Sequence, residues 1–510
     1  MEPYIGIIEG KPGWIQLLEQ EGLFYKVYEP GDEPLLLIVD KPSQKAEILA
    51  YLREGGAILT DSRMWKELSG EETKKVKIEW ITPDGSPFFK DVSVVDIYNN
   101  GYLLGKKGFG RINNRFPAIY EIDYKKGECV VVPFDVSPVI LDTSRRMKFF
   151  YTEKGRYPAE TVSSVSKGEV RKLIVNAIRY LFQKRGCYYV HKWYYPEGKR
   201  NAFLFRVDTD KSSYKEIDDT YKIAERYGIS ATFFIDIKGF GKGLEDLKNL
   251  KNQEIGVHCY EHRIFSDALK NRKNLSKAKE LLSGADVETS GIAAPYGVWN
   301  NSLGFVFEEL GFLYSSEFAY SYNDLPSYPF INKRFSDMLQ IPVHPVSPGT
   351  LLYAKNTIPD IKQYFEMLVE ERYRKREPIF LYGHSGVISR YPTLFEHIIK
   401  SIGEKRDIWQ GTFRKFYQWW KMRGDKKFEV SIRNYRLELR GLEKERALFL
   451  HIVSPDGKES FIKAKESIDL SKLKWMEMPK VRRFERKRLN VKKKTVKLIF
   501  KEMENWLRRR

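Results

Sequence analysis

Two spacings of apolar residues alternate along the first 70 positions. "YIGIIEG", "LFYKVYEP" and "PLLLIVD" are apolar runs of strand length. "KAEILAYLREGG" carries apolar residues at helical spacing and stops on Gly-Gly. "AILTDS" follows as the next buried strand. This alternation predicts a Rossmann-like α/β domain with a parallel sheet. "RFPAIYEIDYKKGECVVVPFDV" predicts a hairpin with a Lys-Lys-Gly turn, and the domain is expected to end near residue 145.

Residues 146–199 are expected to connect. Within them "SKGEVRKLIVNAIRYLFQKRG" has a serine cap, a glutamate three residues on, helical spacing and a terminal glycine. A second α/β pattern opens with "NAFLFRVDTD" and continues through "SATFFIDI", "EIGVH", "TSGIAAPYG", "LQIPVHP" and "PIFLYGHSG". It closes near Arg423, which sets a domain at 200–425. After "GDKK" the spacing changes to two, with a "PDG" turn, so 426–510 reads as a small antiparallel β module with a basic C-terminal segment. The end, "KLIFKEMENWLRRR", has the spacing of an amphipathic helix.

Composition narrows the class. A chain of 510 residues suggests several domains. With 42% hydrophobic and 31% charged residues it is globular rather than disordered. Cys129, Cys187 and Cys259 are odd in number and far apart, which argues against a disulfide framework and fits a reducing compartment. No signal peptide and no run of transmembrane length is evident, so a cytoplasmic location is expected. The net charge of +20 is unevenly spread. From Lys480 to Arg510 there are 14 basic and 3 acidic residues, a net of +11. Such a concentration suggests an anionic partner, chiefly the inner membrane face or a phosphorylated lipid carrier, with nucleic acid not favoured. A solvated basic tail is the simpler alternative.

Three strand ends in the second α/β pattern carry chemistry. "FLFRVDTD" ends in Asp208 and Asp210, and the strand period points both the same way. "EIGVHCYEH" ends in His258 and His262, which one helical turn would place on one face. "PIFLYGHSG" ends in His384. Each has a plain explanation: capping acids, a chance pair of histidines, a structural histidine. Sites gather at the C-terminal edge of parallel sheets, so all three together favour a metal centre.

Residues 200–423 resemble the polysaccharide deacetylases, the NodB-homology carbohydrate esterases. "FRVDTD", "SATFFI", "GVHCYEH", "APYG" and "LYGHSG" occur in the family's order. The resemblance implies a distorted (β/α) barrel. It implies that Asp210, His258 and His262 hold Zn²⁺ or another divalent transition metal. Asp208 would be the base that deprotonates metal-bound water, and His384 the acid that protonates the leaving amine. The backbone N–H of Tyr296 would be an oxyanion donor. The family usually has an arginine two residues before the proline of "APYG", where this chain has Ala293. Arg206, two residues before Asp208 on its strand, is a candidate substitute.

His344 is a further candidate at a strand end, with a structural role favoured, and His191, His397 and His451 have no motif around them. Cys259 is expected to point away from the histidines and pack. Trp419 and Trp420 read as packing residues, while Trp193, Tyr194 and Tyr195 could stack on sugar or pack. The N-terminal domain looks like a class I glutamine amidotransferase-like domain. It has no cysteine or histidine before Cys129, which lies within a strand, so it is expected to be catalytically silent.

Three readings follow. The first is a metal-dependent deacetylase acting on an N-acetylated sugar in a glycan or a lipid-linked precursor, held peripherally at the inner membrane face. The second is a hydrolase of a small-molecule amide using the same residues. The third is a degenerate, non-catalytic barrel that binds an anionic surface.

Overall fold

The computed structural model describes residues 3–442 and 447–492. The expected helix over 497–510 lies outside the described residues. The described residues divide into two compact units: 3–142 with 165–198, 420–442 and 447–484, and 143–164 with 199–419 and 485–492.

The first unit contains a nine-stranded sheet. Its parallel half is formed by Ile5–Ile7, Tyr25–Val27, Leu36–Val39, Ala57–Asp61 and Gly127–Val132. From Gly127–Val132 onward the sheet is antiparallel, through Phe116–Tyr124, Phe109–Ile112, Thr73–Thr82 and Val95–Leu104. The expected hairpin over 116–132 is present, whereas the strands between 73 and 112 were not anticipated. Lysine pairs at 74–75 and 106–107 and the Asn-Asn-Gly at 99–101 interrupt their period. Helix Lys167–Lys184 forms where its spacing predicts, but Ser166 does not cap it. The Ser166 hydroxyl accepts from the Asp96 N–H at 2.7 Å, and Glu169 accepts from the Ser93 N–H at 2.6 Å. Tertiary partners take both members of the predicted capping box. Strand Tyr189–Lys192, from the expected connector, pairs with Phe449–Val453 from the expected β module, so the two share one small sheet.

The second unit is built on parallel strands. They are β1 (Asn201–Asp208), β2 (Thr232–Asp236), β3 (Glu254–Cys259), β4 (Gly291–Ile292), β5 (Tyr314–Ser315), β6 (Leu339–Gln340), β7 (Ile379–His384) and β8 (Ile408–Gln410). Their order is 6-5-4-3-2-1-7, with β8 pairing the first residues of β1. All of these pairings are parallel. Every residue of β1 is buried, as expected for a strand covered on both faces. Phe203, Phe205 and Val207 join Ile217, Tyr221 and Ala224 of helix Tyr214–Arg226 in one apolar core. Each large side chain so buried contributes about 1.5–3 kcal/mol.

The sheet is curled and open between β6 and β7. Beyond β6 the chain continues along β5 through Ile341 N–H to Ser315 O. It then reaches β7 through His344 N–H to Phe380 O, both at 2.8 Å. That second bond forms a seam where a closed barrel would have a ladder. Tyr382 O–H on β7 also donates to Pro345 O at 3.1 Å, so the expected barrel is a parallel half-barrel with a sparsely bonded seam. In the same unit Lys487 Nζ sits 2.9 Å from both oxygens of Glu153, and Arg488 Nη1 about as close to both of Glu371. Two residues of the basic C-terminal segment thus make internal ion pairs. No helix among the described residues is long and apolar enough to cross a membrane.

Candidate metal centre

The candidate residues stand at the C-terminal ends of β1, β3 and β7. β1 stops at Asp208, and Asp210 adopts φ 33, so the chain has already turned. The expected strand phase therefore does not extend to Asp210. Neighbouring bonds fix the turn: Thr209 N–H donates to Phe234 O, Asp236 N–H to Thr209 Oγ1, and Lys211 N–H to Asp236 Oδ2. Neither aspartate caps the following helix, which Ser213 caps with Glu216 in a reciprocal box.

The histidine pair does not lie on a helical turn. His258 is in β3, and His262 is in the loop beyond it. Cys259 ends β3 with φ 114, next to a register shift against β2. That irregularity bends the chain and brings residue 262 back over 258. Asn274, on helix Ala268–Gly284, clamps the loop: its Oδ1 accepts from Glu261 N–H at 2.7 Å, and its Nδ2 donates to Glu261 O and Arg263 O. Cys259 is buried in the core, as its expected packing role requires.

Three ligand-type atoms converge. Asp210 Oδ1 lies 3.0 Å from His258 Nε2 and 3.0 Å from His262 Nε2, and the two nitrogens are 3.2 Å apart. Burial alone would raise the Asp210 carboxyl. Hydrogen bonding to His258 and His262 outweighs it and holds the group well below the usual carboxylate range. Burial would lower His258, but the Asp208 and Asp210 charges raise it. His258 Nδ1 donates to Ala293 O at 2.6 Å, which turns the Nε2 lone pair toward the other two atoms.

This arrangement fits a divalent cation. Ligands about 2.0–2.2 Å from one ion stand roughly 3.0–3.5 Å from each other. Two imidazole nitrogens and a carboxylate oxygen facing one another repel unless a proton or cation lies among them. Asp210, His258 and His262 form the group of this kind found among the described residues.

Asp208 pairs with Arg206: Nε to Oδ1 and Nη2 to Oδ2, both 2.6 Å and both buried. Arg206 Nη1 also donates to Ser316 O. His384 Nε2 is 3.4 Å from Asp210 Oδ2. Tyr296 has φ 59, and its half-exposed ring stands edge-on to His262 with centroids 5.1 Å apart.

No protein-family model matches the chain, and no curated protein matches it. Solved structures of similar fold are found. One is assigned as a polysaccharide deacetylase from Mycobacterium smegmatis: 17% identity, TM-score 0.39, covering 45% of this chain and 93% of that one. Another is assigned likewise from Pseudomonas aeruginosa PAO1: 17% identity, TM-score 0.39, covering 44% and 92%. A third is an allantoinase: 16% identity, TM-score 0.40, covering 45% and 93%.

Other candidates lie elsewhere. His344 bonds Asn323 Oδ1 at 2.9 Å and Tyr364 OH at 2.8 Å. His191 and His451 are buried in the first unit and bond each other at 2.9 Å. His397 stands 3.8 Å from Glu366. Trp193, Tyr194 and Tyr195 pack in a buried aromatic cluster, and Trp419 and Trp420 are also buried. None of these five is exposed as a sugar platform. Cys129 is fully buried within its strand, and burial pushes its thiol up. Sequence reasoning missed Asn274 and Glu317. Glu317 follows β5 and is fully buried, and its Oε1 accepts from Ala294 N–H at 3.0 Å. Burial pushes its carboxyl up to about 7, against the lowering effect of the Ala294 N–H. An acid just past a short apolar strand, in "YSSEF", was the available signal.

Proposed function

We propose that residues 199–419 form a metal-dependent hydrolase that removes an acetyl group from an N-acetylated sugar. The convergence of Asp210, His258 and His262 beside Asp208 and His384 carries this reading. Zn²⁺ or another divalent transition metal held by those three side chains would supply Lewis acidity to the acyl oxygen and to water. Asp208, aimed by the Arg206 fork, takes the proton of the attacking water on a remaining carboxylate lone pair. His384 gives a proton from Nε2 to the leaving nitrogen. The Tyr296 N–H donates to the oxygen on which negative charge grows. Arg206 takes the orienting part that the sequence resemblance assigns to an arginine at the Ala293 position.

The substrate class and setting belong to the same proposal. The acetylated group is carried on a glycan or on a lipid-linked precursor, reached from the cytoplasmic side, with basic residues beyond Lys480 favouring an anionic membrane surface. The N-terminal amidotransferase-like domain has a structural or binding role. Acetate release from a panel of N-acetylated sugars, oligosaccharides and lipid-linked sugars tests the reading. Activity should require divalent metal and should be lost in Asp208→Asn. Release that persists in the chelated protein and in Asp208→Asn would refute it.

A further inference from the structure

The peptide unit between Ala293 and Ala294 is hydrogen-bonded on both sides. Its carbonyl accepts from His258 Nδ1 at 2.6 Å, and its N–H donates to Glu317 Oε1 at 3.0 Å. Both groups belong to one planar amide. A carboxylate, an amide and a candidate ligand imidazole therefore stand in series. We propose that Glu317 is a positioning residue for the metal centre, its carboxylate acting on His258 through the Ala293–Ala294 peptide rather than by contact. The proposal rests on the reading that Asp210, His258 and His262 hold a divalent cation.

An amide whose N–H donates to a carboxylate is polarised, and its oxygen becomes a stronger acceptor. A stronger acceptor at Nδ1 fixes the His258 tautomer and makes Nε2 a better donor to a cation. Metal-bound histidines commonly donate their second N–H to a carboxylate or a backbone carbonyl. Here the carbonyl is itself backed by a carboxylate. The geometry is held from several directions. Ala293 N–H donates to Val257 O at 3.0 Å, tying the peptide to the strand that bears His258. Glu317 O accepts from Gln340 Nε2 at 2.9 Å and from Tyr320 N–H at 3.1 Å. A carboxylate is costly to bury, and here the Ala294 N–H, the Ser315 hydroxyl, the Arg206 charge and the Ser316 N–H all favour the ionised form against that burial.

The test uses the full chain stripped of metal by chelation and held above pH 7, so that the Glu317 carboxyl, pushed up to about 7, is ionised. It is titrated with Co²⁺, followed by visible absorption, and with Zn²⁺ in competition with a chromogenic chelator. The wild-type protein should bind one equivalent. Glu317→Ala should weaken Zn²⁺ binding about 10–100-fold and shift the Co²⁺ spectrum. Glu317→Gln, which keeps a neutral oxygen facing Ala294, should fall between. Wild-type affinity and spectrum in Glu317→Gln would reduce Glu317 to a neutral acceptor and overturn the proposal, as would equal affinity in all three proteins. If circular dichroism shows Glu317→Ala unfolded, the comparison with Gln decides alone. A wild-type protein that binds no cation, or whose binding survives His258→Ala, refutes the metal-site reading itself and the proposal with it. These outcomes separate the two failures.

Discussion

Arg206 and Asp208 sit two residues apart on one buried strand and grip each other through two parallel hydrogen bonds of 2.6 Å. Side chains two apart on a strand share a face, so the pair is formed within one element. Burial makes it consequential. Two charges are out of water, and each depends on the other for its compensation.

Removing one partner should therefore be severe. Arg206→Met is expected to destabilise the protein by about 3–5 kcal/mol in denaturant unfolding, by leaving Asp208 buried and unpaired. Arg206→Met combined with Asp208→Asn should recover much of that loss. Arg206→Lys keeps the charge but loses the fork, and it should lower turnover more than stability. A loss under about 1 kcal/mol in Arg206→Met would show that the pair is replaceable.

Cation binding should appear as stability. At a free Zn²⁺ concentration 100 times Kd, the folded state gains about 2.7 kcal/mol. The thermal midpoint of the wild-type protein should rise accordingly. His258→Ala and Asp210→Asn should show little or no rise at the same concentration. An equal rise in all three would place the cation elsewhere.

His344 gives the protein an acid limb. Burial holds it well below the usual histidine range, with the Arg372 charge adding to the effect. Its two bonds suit the neutral ring, Nδ1–H donating to Asn323 Oδ1 and Nε2 accepting from Tyr364 OH. Unfolded, it binds a proton near pH 6.5, and folded it does not. The unfolded state then holds more protons below that pH, so stability is full above about 6.5 and falls as the pH drops. The slope from this group approaches about 1.4 kcal/mol per pH unit. Denaturant midpoints measured from pH 7.5 to 4.5 should show a shallower decline in His344→Gln, and an unchanged decline would assign the limb to other groups.

Cys259 holds a backbone angle that side chains rarely adopt, φ 114, beside the candidate ligand His258. Cys259→Val puts a β-branched side chain there and should cost about 2 kcal/mol or more. Cys259→Gly relieves the angle while losing the buried thiol, and should remain within about 1 kcal/mol of wild type. Urea unfolding ranks the two, and Val proving the milder substitution would contradict the angle.

The residues of the candidate centre stood out in the sequence because charged or polar groups tip apolar strands. Asp208, Asp210, His258 and His384 each follow such a run. How they meet was not legible. The sequence suggested a helical turn for His258 and His262 and a shared strand face for the two aspartates. The structure instead uses backbone turns at Asp210 and Cys259, where no glycine marks the bend. Asn274 left no signal and Glu317 only an acid past a short apolar run, because their partners are backbone groups in other elements and no spacing encodes such contacts. In the first unit, strands 73–82 and 95–104 were hidden by polar residues that a half-exposed antiparallel sheet tolerates.

The seam at His344 has its own consequence. Most neighbours in the second unit's sheet are joined by laddered pairing, whereas this margin is held by the His344 N–H to Phe380 O bond and the Tyr382 O–H to Pro345 O bond. Lengthening or shortening 341–345 would therefore re-space that margin and leave His258 and His262 in place, since they lie on and just beyond β3, three strands from β6. Asp210 follows β1, the neighbour of β7, but its turn is fixed separately by the bonds that join Thr209, Lys211 and Asp236. The spacing of that margin and the convergence of the candidate ligands are thus separable traits, open to change one at a time.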